Sequence, residues 1–122
     1  MMLDTFDEAL SEHIAAIQAR DIERFASTLS RSDGLQVVGP DGTAIRGYDD
    51  VLEAHTDWFG SGSEWSFEPE VTWKHEASDM AAALLDVIYT EEGQRKTFLL
   101  LTIFRREPGG WRFLYDQNTA KE

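Results

Sequence analysis

The chain has 122 residues, 42% of them hydrophobic, a length and composition typical of one globular domain, and we assign residues 1–122 to a single domain. It has 11 basic and 23 acidic residues, a net charge of −12. Nucleic acids and anionic membranes bind basic surfaces, so neither is predicted to be a partner. The lack of cysteine excludes disulfides and thiolate chemistry, and the lack of a long apolar run or a secretory signal predicts a cytoplasmic protein.

Two helices are predicted near the N-terminus. Thr5 and Glu8 have the spacing of a capping box, and apolar residues then recur at helical intervals as far as Arg20. Asp21 is suited to cap a second helix, which the segment SRSDG ends. A short strand, LQVVG, and a PDG turn follow it.

A third helix is predicted to begin after Asp49 or Asp50, either of which can cap it, and to end at GSGS. Its apolar face carries His55 and Phe59, and Trp58 lies on the edge of that face.

Four strands are predicted after this helix, because the hydrophobic period changes to two at Trp65. The odd-numbered residues of the first strand, among them Trp73 and His75, are expected to share one face, and Pro69 indicates an edge strand or a bulge. Two strands that are apolar on both faces follow, MAAALLDVIYT and RKTFLLLTIFRR, and WRFLYDQNT closes the sheet.

The predicted order is therefore α-α-β-α-β-β-β-β, which indicates an α+β fold with one curved antiparallel sheet and helices on one of its faces. Strands that are apolar on both faces need cover on the second face as well. A homodimer through this sheet face supplies that cover most simply.

Three segments resemble the nuclear transport factor 2-like superfamily, and within it the SnoaL-like group: ARDIERFASTLSRSDGLQVVGPDG, RGYDDVLEAHTDWF and FRREPGGWRFLYDQNT. The resemblance covers nearly the whole chain. It implies a cone-shaped fold, a pocket between the helices and the concave face of the sheet, and usually a dimer. The superfamily includes isomerases, dehydratases, cyclases, hydrolases, binding domains and oligomerisation modules, so the fold assigns no reaction.

Two subfamilies give residue-level comparisons. In the places where ketosteroid isomerases, which the chain also resembles, carry a tyrosine and two acids, this chain has Ile14, Gly39 and Thr102, and none of these can perform that proton chemistry.

The association domain of calmodulin-dependent kinase has a similar last strand. Its two histidines correspond to Tyr115 and Gln117, and the arginine that lines its pocket corresponds to Asn118. This match implies that Leu114, Asp116 and Asn118 face the pocket, while Tyr115 and Gln117 face the other surface of the sheet. On the strand before it, the match implies that Leu100, Thr102 and Phe104 face inward.

Asp116 and His55 are the candidate catalytic residues. A carboxylate in the wall of an apolar pocket is desolvated, which raises its pKa toward that of a useful general base; otherwise Asp116 is a solvated residue or pairs with Arg112. His55 is either a proton shuttle or a core histidine with one hydrogen bond. Asn118 either orients a substrate carbonyl or hydroxyl, or caps the end of the sheet.

Aromatic residues provide candidate contacts to a flat apolar ligand, although aromatic residues at these spacings also occur in cores. The predicted ligand-binding set is Asn118, Thr102, Trp58, Phe59, Leu114, Tyr89 and Trp73.

Asp86 interrupts an otherwise apolar strand and therefore needs a partner. The alternatives are His55 in a pocket, Arg95 or Lys96 across the hairpin, and a dimer interface. The three histidines lack metal-binding spacing, so no metal and no cofactor are predicted.

Two functions remain open at this stage. One is a small-molecule-binding enzyme, an isomerase, cyclase or dehydratase, that uses general acid–base chemistry on an apolar carbonyl-containing ligand. The other is a non-catalytic ligand-binding or dimerisation domain of the same fold.

Overall fold

The structure, a computed structural model, describes residues 3–121 and consists of three helices on the concave face of a curved six-stranded sheet. The helices are α1 (Phe6–Ala19), α2 (Ile22–Ser27) and α3 (Tyr48–Phe59). The strands are β1 (Gln36–Val38), β2 (Ala44–Arg46), β3 (Trp65–Glu76), β4 (Met80–Glu91), β5 (Gln94–Glu107) and β6 (Gly110–Ala120). The α+β prediction is confirmed, and β2 is a short strand that the sequence did not reveal.

The strands lie in the order β2-β1-β6-β5-β4-β3. Every neighbouring pair is antiparallel except β1 and β6, which are parallel. β1 follows α2 in the chain and pairs with the edge of β6 that β5 leaves free. The long antiparallel meander of β3 to β6 is thus closed on one side by a strand from the first half of the chain.

The predicted helix starts are confirmed for the first two helices. The Glu8 amide donates to Thr5 Oγ1 at 3.1 Å and Glu8 Oε1 accepts from the Thr5 amide at 3.1 Å, a complete capping box. Asp21 Oδ1 accepts from the Arg24 amide at 3.1 Å and caps α2.

The predicted aspartate cap of the third helix is wrong. Gly47 occupies the N-cap with a φ of 89°, a left-handed conformation that glycine adopts without strain, and no side chain caps the helix. Asp49 and Asp50 lie in the first turn instead, where their negative charge interacts favourably with the positive end of the helix dipole.

A bulge in β3 changes which face its later side chains occupy. Val71 pairs with Leu85 but Trp73 pairs with Leu84, so one residue between them has no partner. The prediction that Trp73 shares a face with Trp65 is therefore wrong, and Trp73 is 51% exposed on the opposite side. Because β3 is both bulged and at the edge of the sheet, the interpretation of Pro69 is confirmed.

A second bulge lies between β5 and β6. Ile103 pairs with Tyr115 and Phe104 with Phe113, so Leu114 has no partner. Its Cδ1 lies 3.5 Å from the place that a β-carbon would take on Gly34. The bulge shifts the alternation of β6 by one residue. As a result Phe113 and Asp116, three residues apart, both lie on the face that the helices cover.

The opposite face of the sheet has an apolar centre. Leu84 on β4 lies opposite Leu101 on β5, with Leu99 and Ile103 two residues away on either side, and all four are partly exposed. Asp86 belongs to this face and pairs with Lys121 at 2.8 Å. Its partner is therefore none of the three candidates, His55, Arg95 and Lys96.

Within residues 3–121, no helix combines the length and apolar content that crossing a membrane requires. The cytoplasmic location stays a prediction.

His13 links the helices to the sheet inside the core. Its ring stacks on Phe113 at 4.3 Å and lies 5.0 Å from Phe25. Thr28 Oγ1 donates to the Phe25 carbonyl at 2.7 Å, so the His13 Nδ1 atom, 2.7 Å from the same oxygen, is the donor to it. Burial lowers the pKa of His13 to about 3, and the charge of nearby His55 adds to this effect.

We expect His13→Gln to reduce the dependence of stability on acidity. The pKa of His13 falls from 6.5 to about 3 on folding. The stability that His13 contributes is therefore complete above pH 6.5 and is lost as the pH falls toward about 3. The loss is at most about 1.4 kcal/mol per pH unit. Urea unfolding across this pH range should show a smaller fall for the variant than for the wild type.

The matched control is His75→Gln, because His75 is exposed. It should keep the wild-type fall in unfolding free energy with acid. An equally steep fall in His13→Gln would contradict the assignment of that acid sensitivity to His13.

Candidate functional site

A cavity of about 560 Å³ lies between the helices and the inner face of the sheet, a size typical of small-molecule sites. Its wall is mainly apolar. The aliphatic and phenylalanine side chains that line it are Ile17, Val37, Ile45, Phe67, Phe98 and Leu100. The turn between β1 and β2 forms part of the rim through Gly39, Pro40, Asp41 and Thr43.

Asp116 enters this cavity from the middle of the sheet. On β5 its cross-strand partner is Thr102, which is 2% exposed, and on β1 its neighbour is Val37, which is 6% exposed. Residues directly opposite each other share a face. The carboxyl group is therefore flanked by two buried side chains from the neighbouring strands.

The environment of Asp116 favours its neutral form. Its Oδ1 atom is buried and has no hydrogen-bond partner among residues 3–121. Desolvation raises the pKa of Asp116 to about 8, and a hydrogen bond from the Val38 backbone offsets only part of that rise. At neutral pH the side chain is a carboxylic acid, able to donate a hydrogen bond into the cavity.

Asn118 lines the same wall, one inward position further along β6. Its Nδ2 donates to the Val38 carbonyl at 2.8 Å, which holds the amide plane against β1. The amide oxygen and the second N–H have no protein partner within residues 3–121 and remain available to a ligand. Asn118 thus binds the end of β1 and also lines the cavity, and its role in orienting a substrate stays a prediction.

His55 reaches the cavity from α3 as a neutral imidazole. Its Nδ1 lies 2.7 Å from the Val51 carbonyl, and since a carbonyl only accepts, Nδ1 carries the proton. Desolvation lowers the pKa of His55, although the bond to Val51 favours the charged form. The ring stacks on Phe25 at 4.3 Å. The Nε2 lone pair is thereby left as a proton acceptor in a fixed orientation.

Two aromatic residues form a hydrogen-bonded part of the cavity wall. Trp58 Nε1 donates to the Tyr89 hydroxyl at 3.0 Å, and that hydroxyl donates to Glu91 Oε1 at 3.2 Å. Trp58 also stacks on Trp65 at 4.5 Å. These contacts fix both rings, and burial raises the pKa of Tyr89, so its hydroxyl stays protonated at neutral pH.

The structure brings five of the nine predicted site residues to the cavity. They are Asp116, His55, Asn118, Trp58 and Tyr89. The other four lie outside its lining, each for a local reason.

Two of these four residues are displaced by the bulges. Trp73 is turned to the outer face, and Leu114 lies against Gly34. Phe59 packs in the core beside Phe25, with ring centroids 5.5 Å apart. Thr102 does face the helices, but it is covered, and its hydroxyl donates to the Ala83 carbonyl at 3.4 Å.

Several lining residues were missed by sequence reasoning. Phe67 and Phe98 alternate along predicted strands, so their inward direction was readable, but their place in a cavity rather than the core was not. The Gly39–Thr43 rim and Lys96 gave no signal, because they reach the cavity only through the tertiary fold.

No group of three or more His, Asp or Glu side chains in the described part of the chain has the arrangement of a metal site. The absence of a metal and of a cofactor stays a prediction. The chemistry that the cavity itself offers is that of an uncharged acid, Asp116, and an uncharged base, His55.

We expect Asp116→Asn to raise stability at alkaline pH and to change it little in acid. The pKa of Asp116 rises from 3.8 to about 8 on folding, so folding keeps a proton that the unfolded chain has lost. The wild-type unfolding free energy therefore falls as pH rises through this window, by at most about 1.4 kcal/mol per pH unit. Denaturant unfolding of both proteins across the window measures the difference.

The control for this experiment is Asp57→Asn, which makes the same charge change at an exposed position on α3. Its stability should follow the wild type in parallel. If Asp116→Asn also runs parallel to the wild type, the buried neutral carboxyl is contradicted.

Comparison with known proteins places this architecture in a family. The SnoaL-like domain family matches residues 7–118. A search of curated proteins found no match.

Many solved structures share the fold. A protein provisionally assigned as a calcium/calmodulin-dependent protein kinase type II association domain, from Thiobacillus denitrificans ATCC 25259, superposes with a TM-score of 0.89 at 19% identity, covering 100% of this chain and 99% of that one. A provisionally assigned dehydratase of the NTF2-like family from Streptomyces avermitilis gives 0.78 at 18% identity, covering 93% and 91%. A ketosteroid isomerase-like protein from Erwinia carotovora atroseptica SCRI1043 gives 0.72 at 18% identity, covering 95% and 93%.

At these identities the superpositions show the fold alone. Since the family match extends over most of the chain, the protein belongs to the SnoaL-like domain family and has the NTF2-like fold.

Proposed function

We propose that this protein binds a small apolar molecule containing a carbonyl group and catalyses proton transfer on it without a cofactor, as an isomerase, cyclase or dehydratase does. The observation that carries the proposal is Asp116, which lines an apolar cavity and whose buried Oδ1 has no protein partner among the described residues. An unsatisfied buried polar atom costs about 1–3 kcal/mol, and a ligand carbonyl would accept its hydrogen bond.

The proposed step is proton removal from the carbon next to the carbonyl. His55 Nε2 takes that proton, the C–H electron pair forms a C=C bond, and the carbonyl oxygen takes the proton of Asp116 to give an enol. In a β,γ-unsaturated ligand, protonated His55 returns its proton to the γ-carbon while the enol oxygen returns its proton to Asp116, which completes an isomerisation. If a hydroxyl group leaves from the β-carbon instead, protonated His55 supplies the proton with which it departs as water, and the enol oxygen again returns its proton to Asp116.

The pH range of this chemistry follows from the two pKa shifts. Asp116 must be protonated, which holds below a pKa of about 8, and His55 must be neutral, which holds above its lowered pKa. Turnover should therefore be level around neutral pH and fall as Asp116 ionises at alkaline pH.

The test is deuterium exchange into the methyl group of acetophenone in heavy water, followed by proton NMR. The wild-type protein should accelerate exchange at neutral pH, and Asp116→Asn and His55→Gln should each slow it by about 100-fold or more, the usual contribution of a general acid or base. Asp57→Asn, exposed on the same helix as His55, should keep the wild-type rate.

Two results would contradict the proposal. One is a wild-type rate no faster than buffer while acetophenone still binds, which would favour the non-catalytic ligand-binding alternative. The other is a wild-type acceleration that persists in both variants, which would remove Asp116 and His55 from the mechanism.

We propose further that the protein is a homodimer through the outer face of the sheet. The apolar centre around Leu84 and Leu101 is left partly exposed by the single chain. The same face carries both signs of charge in the pair of Asp86 with Lys121. A second copy related by a two-fold axis would present the same apolar centre and both charges in return, as a self-complementary interface requires.

Leu101→Glu is expected to convert the dimer into a monomer, because it places a charge in the apolar centre of that interface. Sedimentation velocity should give twice the chain mass for the wild type and the chain mass for the variant. Ser11→Glu, on the exposed surface of α1, is the matched control and should stay dimeric. A monomeric wild type would overturn the dimer.

A further inference from the structure

We infer that the ligand is an elongated apolar acid, whose carboxylate binds Lys96 at one end of the cavity while its carbonyl oxygen reaches Asp116 at the other. This inference rests on the proposed function and adds the chemical class of the ligand to it. The two side chains line the same cavity but lie far apart along the sheet.

The register of the sheet gives the length of the site. Asp116 on β6 lies opposite Thr102 on β5. Lys96 lies six residues before Thr102 on β5, opposite Tyr89. At about 3.4 Å per residue this is about 20 Å of strand. The inward side chains between these positions, Phe98 and Leu100, both line the cavity and give it an apolar floor.

The positive charge of Lys96 has no counterpart in the protein. No carboxylate of residues 3–121 lies within 4.0 Å of its ammonium group, although acids outnumber bases by 23 to 11 in the sequence. The other two lysines are both paired, Lys74 with Asp7 at 2.7 Å and Lys121 with Asp86 at 2.8 Å. A lysine without an acid at the rim of an apolar cavity matches a ligand anion.

A second cation acts on the same end of the cavity. The guanidinium of Arg20 lies 4.2 Å above the Trp65 ring and donates to the carbonyls of Ser63 and Trp65, with no carboxylate partner among the described residues. Burial raises the pKa of Tyr89, the negative charge of Glu91 adds to that rise, and the positive charge of Arg20 opposes it. Arg20 therefore adds to the field of Lys96 where Tyr89 lines the cavity.

Two acids near this cavity, Asp41 and Glu91, each accept a hydrogen bond from within the protein. Asp41 lines the rim on the β1–β2 side, where its Oδ1 accepts the Thr43 amide at 2.9 Å and caps its own turn. Glu91 accepts the Tyr89 hydroxyl and does not belong to the cavity lining. A cationic ligand would have to compete with the Thr43 amide, whereas an anionic ligand meets a lysine that has no competing acid.

The chemistry of the two ends fixes the orientation of the ligand. The Asp116 end is apolar and carries an uncharged carboxyl group, so it suits a carbonyl oxygen and would desolvate an anion at high cost. The Lys96 end is exposed, so a carboxylate can pair with the ammonium there and keep part of its hydration.

The experiment compares 11-oxododecanoate, which carries a ketone at one end and a carboxylate at the other, with its uncharged methyl ester by isothermal titration calorimetry. The wild type should bind the acid about fivefold more tightly than the ester, the size of a partly exposed ion pair. In Lys96→Met this ratio should fall to about one. Lys74→Met, which removes a lysine outside the cavity, should keep the wild-type ratio.

The outcomes separate this inference from the proposed function. If the wild type binds the acid and the ester equally, or if Lys96→Met keeps the preference for the acid, the inference is overturned while ligand binding in the cavity stands. If neither compound binds, the inference is overturned, and the acetophenone exchange alone decides the proposed function.

Discussion

The parallel pairing of β1 with β6 is the constraint on which the site depends. Without β1, the last strand would be a free edge and its polar end would lie in water. With β1 in place, Asp116 lies between Val37 and Thr102, and Asn118 donates to the Val38 carbonyl. The same pairing therefore completes the sheet and removes water from the carboxyl group, so a topological feature sets the protonation state of Asp116.

Local patterns predicted most of this fold, and long-range pairing decided the rest. Helix caps at Thr5 and Asp21 and the alternation of the long strands depend on neighbours in sequence, so both were readable. A bulge reverses every later side chain on its strand, and its position depends on the partner strand. That is why Trp73, an aromatic candidate on an alternating strand, and Leu114, placed in the pocket by the match of the last strand to the kinase association domain, lie elsewhere.

The inward direction of Asp116 was predicted despite the bulge in its strand, because a family resemblance indicated it. Alternation from Trp111 was not used for that prediction. The short strand β2 and the β1–β2 rim had no comparable signal, since three residues do not establish a period. Desolvation was likewise predicted only in kind for Asp116 and His55. The strength of the desolvation depends on distant elements: β1 and β5 flank Asp116, and α2 packs against His55 on α3. No local segment of the sequence specifies these contacts.

One strand, β5, separates the two surfaces for which functions are proposed. Its inward residues Phe98 and Leu100 form the cavity floor, and its outward residues Leu99 and Leu101 form the apolar centre of the proposed dimer face. Under the two proposals, apolarity on both faces of this strand has two separate causes, a ligand on one side and a second chain on the other. Because a single layer of backbone carries both, a dimer would hold rigid the floor along which an elongated ligand is proposed to lie.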